Sequence, residues 1–395
     1  MRVMISGGGT GGGVYPALAV VEALKARQPD TVFLWVGGKR GPERDLVERE
    51  GIAFEAVPGG PIAGVGARAL ISLPRIAAGT LRALGLVRRF RPDVLLMTGG
   101  WVTIPATLAC WLSGVPVVIL MPDLEPGGTI RVLSRVAARV AVVAPESARF
   151  FRPGQAIETG YPVRPALLRA AGYDVLGQPL GEAAATRERA RKRFGLAEGM
   201  LTLLVSGGST GARSINRALT TSLERILACE GDGPGCQIIH ISGRLDQEWV
   251  QRRADELPPE LAARYHPVAY LHTDDMALAL AAADLVVSRA GASTLGEFPL
   301  FGLPAILVPY PHAWRYQKTN AEYLVSRRAA LRLDDDRLEE DLAPLVCGLL
   351  KDGDRRERMA ASCRALRRPD AAARVAEVLA GPVQAASTES RGKGT

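Results

Sequence analysis

The chain has 395 residues, a formal net charge of +8, and 47% apolar but only 5% aromatic residues. That length calls for two domains of about 150–200 residues rather than a single core, with aliphatic, alanine-rich interiors. The basic excess suits an anionic partner, but aromatic residues are not interleaved with the basic ones, which argues against nucleic-acid binding. Five scattered cysteines (110, 229, 236, 347, 363) show no CxxC and no metal-ligand spacing, and fit small core residues in a reducing compartment.

The first predicted element is a buried strand over 2–6, with no secretory-signal pattern before it. It runs into Ser6-Gly7-Gly8-Gly9-Thr10-Gly11 and then a helix-like run from Pro16 to Leu24. Glycine there lets backbone N–H groups approach a bulky anion, and a helix N-terminus favours its charge. Further strands are predicted at 31–36, 52–57, 93–98, 116–120 and 139–143. Between them, 68–91 carries apolar Leu70, Ile71, Leu73, Ile76, Leu81, Leu84, Leu86 and Val87 among Arg68, Arg75, Arg82, Arg88, Arg89 and Arg91. Such a basic amphipathic helix either lies on an anionic membrane or packs on the domain with a solvated face. The uncharged stretch Val94–Pro122 is long enough to span a membrane. Gly99-Gly100, Pro105, Gly114 and Pro116 divide it instead into strand, loop, helix (104–113) and strand.

A domain boundary is expected near Gly160-Tyr161-Pro162-Val163-Arg164-Pro165, followed by a charged, alanine-rich segment (171–199) that reads as a surface insertion or an extra helix. The second half repeats the opening. A strand over 201–206 leads into Ser206-Gly207-Gly208-Ser209-Thr210-Gly211 and a helix-like stretch to Leu227. Strands follow at 237–241, 266–270, 284–288 and 304–308, then a helix from Asp370 to Leu379 and a small, polar tail from Gly381 expected to be disordered. Alternation of this kind predicts α/β halves with parallel sheets covered on both faces. Ligands of such sheets bind outside the carboxyl ends of the strands, where both glycine turns fall.

Side chains near those ends suggest chemistry. Strand 284–288 ends at Ser288, Gly291 turns the chain, and Ser293 or Thr294 can cap the next helix. Glu297 has capping-box spacing from Thr294. Gln317 and Asn320 share a helix face, and amides suit a neutral sugar. Asp123 and Glu125 follow strand 116–120 beside prolines, where turn chemistry is the plain alternative to a catalytic role. The four histidines (240, 266, 272, 312) have no ligand spacing, and His240 reads as strand core.

Taken together and in order, several motifs resemble the bacterial lipid II-forming N-acetylglucosaminyltransferases. They are Gly8–Gly12 with Pro16-Ala-Leu-Ala19, Thr98-Gly-Gly-Trp101, Gly160–Arg164, Gly207–Ala212, Asp274-Asp-Met276, Ser288–Glu297, Gly302-Leu-Pro304 and Gln317–Asn320. The resemblance covers about positions 1–380. It implies the B-type glycosyltransferase fold, two Rossmann-like parallel-sheet domains facing across a cleft. Residues 1–163 would be the acceptor and membrane-facing domain, 164–367 the UDP-sugar domain, and a helix at about 368–380 would pack back on the first.

The resemblance also implies roles. The donor UDP-N-acetylglucosamine would meet Arg164, Ser209, the backbone at Thr273, Met276, Ala292, Ser293, Thr294, Glu297 on the ribose, and Gln317 and Asn320 on the sugar. Gly9, Thr10, Gly11, Gly12 and Gly13 would hold the pyrophosphate of an undecaprenyl-linked acceptor. No metal or cofactor is implied. Further implied partners are an anionic membrane surface and cell-wall synthesis proteins, with the protein peripheral on the cytoplasmic face of the bacterial inner membrane. Three places depart from the family, one of them Tyr316, where the family often has the first of a glutamine pair. Gly13 replaces a histidine, and Met121-Pro-Asp123-Leu-Glu125-Pro replaces His-Glu-Gln-Asn, which leaves Asp123 and Glu125 as candidate general bases. The expected reaction is inverting transfer of N-acetylglucosamine to the C4 hydroxyl of the lipid-linked muramyl-pentapeptide. The alternatives are another lipid acceptor, a UDP-N-acetylglucosamine epimerase, and a non-catalytic UDP-sugar binder. A dinucleotide oxidoreductase is disfavoured, because neither glycine turn has the G-x-G-x-x-G pattern with a ribose acid about 20 residues on.

Overall fold

Seven apolar runs of the first half form one parallel sheet: β1 (Arg2–Ser6), β2 (Val32–Gly37), β3 (Ala53–Ala56), β4 (Val94–Met97), β5 (Val117–Met121), β6 (Arg139–Val142) and β7 (Ala156–Glu158). Their order is β3-β2-β1-β4-β5-β6-β7. The second half builds another from β8 (Leu201–Ser206), β9 (Cys236–Ile241), β10 (Tyr265–Val268), β11 (Leu285–Ser288), β12 (Ala305–Leu307) and β13 (Ala330–Arg332), in the order β10-β9-β8-β11-β12-β13. The computed structural model describes the chain apart from residues 9–10, 40, 42, 62–67, 182, 209–210, 230–234, 312–315 and 393–395.

The strands read as continuous apolar runs because both faces are covered. In the first unit, Val3, Ile5, Leu96 and Val118 face a core shared with Val14, Ala17 and Val21 of the helix Gly11–Arg27. Met4, Leu95, Met97 and Ile119 point the other way, into a core with Ile76 and Ala83 of the helix Arg68–Phe90 and with Ile104 and Ala106 of the helix Ile104–Leu112. In the second unit, Leu203, Val205, Leu285 and Val287 pack with Ile215 and Leu219 of the helix Arg213–Thr221. Val94–Pro122 divides as its glycines and prolines require, and among the described residues no helix is long and apolar enough to cross a membrane.

One unit comprises Met1–Pro165, Val175–Gln178 and Pro369–Thr395; the other comprises Ala166–Asp174 and Pro179–Arg368. The helix Ala371–Gly392 packs in the first unit through Val375, Ala376 and Leu379. It continues well past 380, where a disordered tail was expected, because Gln384, Ala385 and Ala386 keep good helix propensity. Two strands escape sequence reading, β7 and β13, each only three residues long and at a sheet edge. Segment 171–199 contains the helix Ala183–Arg193. Charges attach it rather than an apolar stripe: Arg193 bridges both carboxylate oxygens of Asp275 at 3.0 and 3.1 Å, and Arg187 meets Asp284 at 2.5 Å.

His240 lies wholly inside the second unit, and burial pushes its imidazole down to about 3. Between its ordinary 6.5 and about 3, the unfolded chain takes up a proton that the folded chain refuses. Stability therefore falls as pH falls through that window. In urea titrations, His240→Gln should remove this contribution, flattening the pH dependence by up to about 1.4 kcal/mol per pH unit. An unchanged slope would contradict the assignment.

Candidate active site

Strand order in the second sheet reverses between β8 and β11, which pair directly with Ser206 opposite Ser288. Their hydroxyls lie 3.2 Å apart. The helix following β8 joins the core described above, whereas the helix Thr294–Phe301 following β11 contributes nothing to it. The two departing loops diverge and open a crevice at the carboxyl ends, the place where such sheets bind ligands. A cavity of about 860 Å³ occupies it. The turn after β8 needs glycine. A Cβ on Gly207 would lie 2.2 Å from the Ala212 nitrogen, and Gly211, at φ +81°, would press on the Ser242 carbonyl oxygen at 2.5 Å.

On the opposite wall, Ser293 caps the helix Thr294–Phe301 through its backbone alone. The Thr294 hydroxyl donates to the Gly291 carbonyl at 2.8 Å, so Thr294 and Glu297 form no capping box. Glu297, only 6% exposed, lines the cavity instead. The N–H groups of Thr294, Leu295 and Gly296 are taken by the carbonyls of Gly291, Ala292 and Ser293. Those of the Gly291–Ser293 turn are the ones left for an anion.

The expected pair Gln317 and Asn320 divides. Gln317 lines the cavity, and its carbonyl oxygen accepts from the Tyr310 N–H at 2.9 Å, leaving the amide NH2 to donate. Asn320 is fully buried and donates to the Ala290 carbonyl at 3.2 Å. It supports the β11 loop and does not line the cavity, because that helix face turns inward. Met276 lines the cavity, and Thr273, half-buried, opens the helix Thr273–Ala282 one turn before it. Arg164 belongs to the first unit, where its guanidinium lies 5.0 Å from the centre of the Tyr15 ring. Ser209 and His312 lie outside the described residues.

In the first unit, Gly9 and Thr10 also lie outside the described residues. Gly11, Gly12 and Gly13 form the first turn of the helix Gly11–Arg27, which therefore begins earlier than the sequence suggests. The Thr98 hydroxyl, at the end of β4, sits where a Cβ on Gly7 would fall 2.1 Å away and one on Gly13 3.1 Å away. It is buried and without a hydrogen-bond partner among the described residues. Asp123 is half-buried in the loop after β5. Glu125 is buried, with the Arg149 guanidinium 3.9 Å away. Among the described residues, no three His, Cys, Asp or Glu side chains are grouped to hold a metal ion. Burial pushes the Cys110, Cys236 and Cys363 thiols up to about 12, which makes them inert core groups.

Sequence reading missed part of the cavity wall. Arg213, Ser214, Asp246 and Asp335 all line it. Arg213 and Ser214 stand two and three residues after the second glycine turn, a position that signals proximity to its ligand. Asp246 and Asp335 carry no such signal, because they meet the wall only through tertiary contact. Arg289 pairs with Asp335, donates to the Ser214 hydroxyl at 2.7 Å and lies 5.2 Å from the Tyr310 ring centre.

Residues 3–142 match the N-terminal domain model of glycosyltransferase family 28, and residues 202–375 match its C-terminal domain model. A protein of Roseiflexus sp. (strain RS-1) is 38% identical over 96% of this chain and 94% of its own length. It is named UDP-N-acetylglucosamine–N-acetylmuramyl-(pentapeptide) pyrophosphoryl-undecaprenol N-acetylglucosamine transferase. The crystal structure of Acinetobacter baumannii MurG is similar with a TM-score of 0.71 at 27% identity, covering 96% of this chain and 98% of that one. A UDP-GlcNAc 2-epimerase from Neisseria meningitidis shares the fold alone, at 13% identity and a TM-score of 0.64 over 96% of this chain and 99% of that one.

The glycine geometry gives a test of the cavity's frame. Gly207→Ala meets backbone and should lower unfolding free energy by about 1–3 kcal/mol in urea titrations. Gly291→Ala meets nothing within 4 Å and should stay within about 0.5 kcal/mol of the parent. Equal losses would contradict the geometry.

Proposed function

The chain belongs to glycosyltransferase family 28, and from that membership we propose that it makes lipid II. It transfers N-acetylglucosamine from UDP-N-acetylglucosamine, with inversion, to the C4 hydroxyl of undecaprenyl-pyrophosphoryl-N-acetylmuramyl-pentapeptide. One observation carries the reading. A single switch-point cavity holds an anion-accepting turn, the buried carboxylate of Glu297 and the amide of Gln317. A nucleotide sugar needs those three chemistries at its diphosphate, ribose and hexose.

In this reading the Gly291–Ser293 turn and the N-terminal dipole of the helix Thr294–Phe301 hold the diphosphate. Glu297 accepts from the ribose hydroxyls, Gln317 donates to the hexose, and Met276 with the backbone at Thr273 borders the base. Ser209 contributes to the nucleotide. As the acceptor oxygen attacks the anomeric carbon, negative charge grows on the departing UDP, and fixed N–H dipoles stabilise it without a metal or cofactor. A carboxylate removes the hydroxyl proton. Asp123, half-buried where Glu125 is buried, is the first choice for base. The acceptor pyrophosphate sits on Gly9–Gly13 at the N-terminus of the helix Gly11–Arg27, and the Thr98 hydroxyl, without a hydrogen-bond partner among the described residues, suits the same anion.

A polyprenyl-linked acceptor requires work at a bilayer surface. The helix Arg68–Phe90 exposes Leu73, Leu81, Arg75 and Arg88, and the helix Ile104–Leu112 packed beside it ends in exposed Trp111 and Leu112. Exposed apolar side chains with nearby arginines favour peripheral attachment to an anionic leaflet, the cytoplasmic face of the inner membrane in this reading.

UDP release from UDP-N-acetylglucosamine, with and without a lipid I analogue on anionic vesicles, tests the proposal. Release should depend on the acceptor, and Asp123→Ala should slow it by about 10²–10⁴-fold, well beyond the effect of Glu125→Ala. Acceptor-independent turnover would favour an epimerase. UDP binding without release would favour a different acceptor, with Gly13 and the altered Met121–Pro126 loop as its cause.

A further inference from the structure

We propose that Arg213 is a phosphate-gripping residue of this cavity, its guanidinium aimed at a donor phosphate by a buried chain of side chains ending at Tyr265. The inference rests on the reading of the cavity as a nucleoside-diphosphate-sugar site and assigns it a residue that the sequence motifs did not suggest.

Arg213 is the first residue of the helix Arg213–Thr221 and is separated from the glycine turn only by the N-cap Ala212. Its Nε donates to Asp246 Oδ1 at 2.9 Å, and its Nη2 lies 2.8 Å from the same oxygen. The other carboxylate oxygen, Oδ2, accepts from Asn216 Nδ2 at 2.9 Å, and that nitrogen also donates to the Ser242 carbonyl at 2.7 Å. These bonds orient the amide, so Asn216 Oδ1 is an acceptor. His240 Nε2, 3.0 Å from it, therefore carries the ring proton. His240 Nδ1 is then the acceptor for the Tyr265 hydroxyl at 2.6 Å. From Tyr265 to Arg213, each donor meets an acceptor.

Four of these five side chains, on β10, β9, the helix and the loop after β9, belong to buried residues. A buried polar chain is costly when any member is unsatisfied and rigid when all are satisfied. The ionisation states agree with this order. Burial would raise the Asp246 carboxyl, but hydrogen bonds from Arg213, Trp249 and Asn216 outweigh it and hold the group below its ordinary value. Burial keeps His240 neutral.

Arg213 is the exception, with its side chain 60% exposed at the cavity. A guanidinium has five N–H donors in a planar fork, and Asp246 engages only one edge of it. Arg213 lines the cavity together with Gly207, Gly208 and Gly211 of the glycine turn, and it opens a helix whose N-terminus also favours an anion. Paired with Asp246, Arg213 adds no net charge to the wall. It supplies oriented hydrogen bonds, which discriminate a phosphate from the nucleoside that bears it. A purely structural clamp would hold the same ion pair without touching the ligand, and the two roles separate experimentally.

NMR titrations of the full-length protein with UDP and with uridine make that separation. Arg213→Ala should weaken UDP by about tenfold to a hundredfold and leave uridine within twofold. Arg213→Lys should not restore UDP affinity, because a point charge lacks the fork. Asn216→Ala, which cuts the tether, should weaken UDP more modestly and raise KM for the donor with little change in kcat. UDP affinity unchanged in the exposed Arg213→Ala variant would overturn the proposal, as would equal weakening of UDP and uridine. A wild-type protein that binds neither ligand would overturn both this inference and the nucleotide-sugar reading beneath it.

Discussion

The structure depends most on a topological constraint, the reversal of strand order beside the first strand of each sheet. In the second unit, β8 and β11 are hydrogen-bonded neighbours whose onward connections build different parts of the fold. The loops leaving them separate, and backbone N–H groups at that fork have no strand or helix of their own to bond. The first unit repeats the arrangement at β1 and β4, which pair with Ser6 opposite Met97. Glycine follows at both forks for a steric reason. At Gly207 the obstacle is the Ala212 backbone, and at Gly7 it is the Thr98 hydroxyl.

Side chains around the second fork are supported from behind rather than left to find a ligand unaided. Asn320 holds the Ala290 carbonyl beneath the β11 turn. Ser214 donates to Asp335 at 2.8 Å and accepts from Arg289, so the helix after β8, the loop after β11 and the segment after β13 share one polar cluster. Arg289 also donates to the Val308 carbonyl at 3.3 Å. A buried pair of this kind is weak evidence for stability, since desolvation offsets the attraction. Its consequence is rigidity, and electrostatic stabilisation of a leaving group needs dipoles that do not reorganise as charge develops.

The parallel sheets were legible because their strands are buried on both faces and so appear as uninterrupted apolar runs, as in Val94–Met97 and Val117–Met121. β7 and β13 were not, since three residues at an edge leave too short a run to distinguish from loop. The helix Ala183–Arg193 was ambiguous because ion pairs hold it, and ion-pair partners such as Asp284 are distant in sequence. Glu297 and Thr294 had the spacing of a capping box, but the helix begins one residue earlier than that motif requires, with Ser293 at its cap, so the carboxylate turns to the cavity. Gln317 and Asn320 had identical signals, and only the packing of their helix separated an accessible amide from a buried one. Arg213 and Asp246 are 33 residues apart, and no periodicity joins a helix start to a loop.

The central claim is that the second unit's cavity presents a UDP-sugar for attack by a lipid-linked hydroxyl. The most direct test incubates the protein with UDP-N-acetylglucosamine carrying a ¹³C label at the anomeric carbon, a lipid I acceptor and a metal chelator, and follows that carbon by NMR. The account predicts a single β-glycosidic signal bonded to the muramyl C4 oxygen, appearing only with acceptor and undiminished by the chelator. A labelled carbon that stays on UDP with its sugar epimerised, or that is released as free sugar, would contradict it.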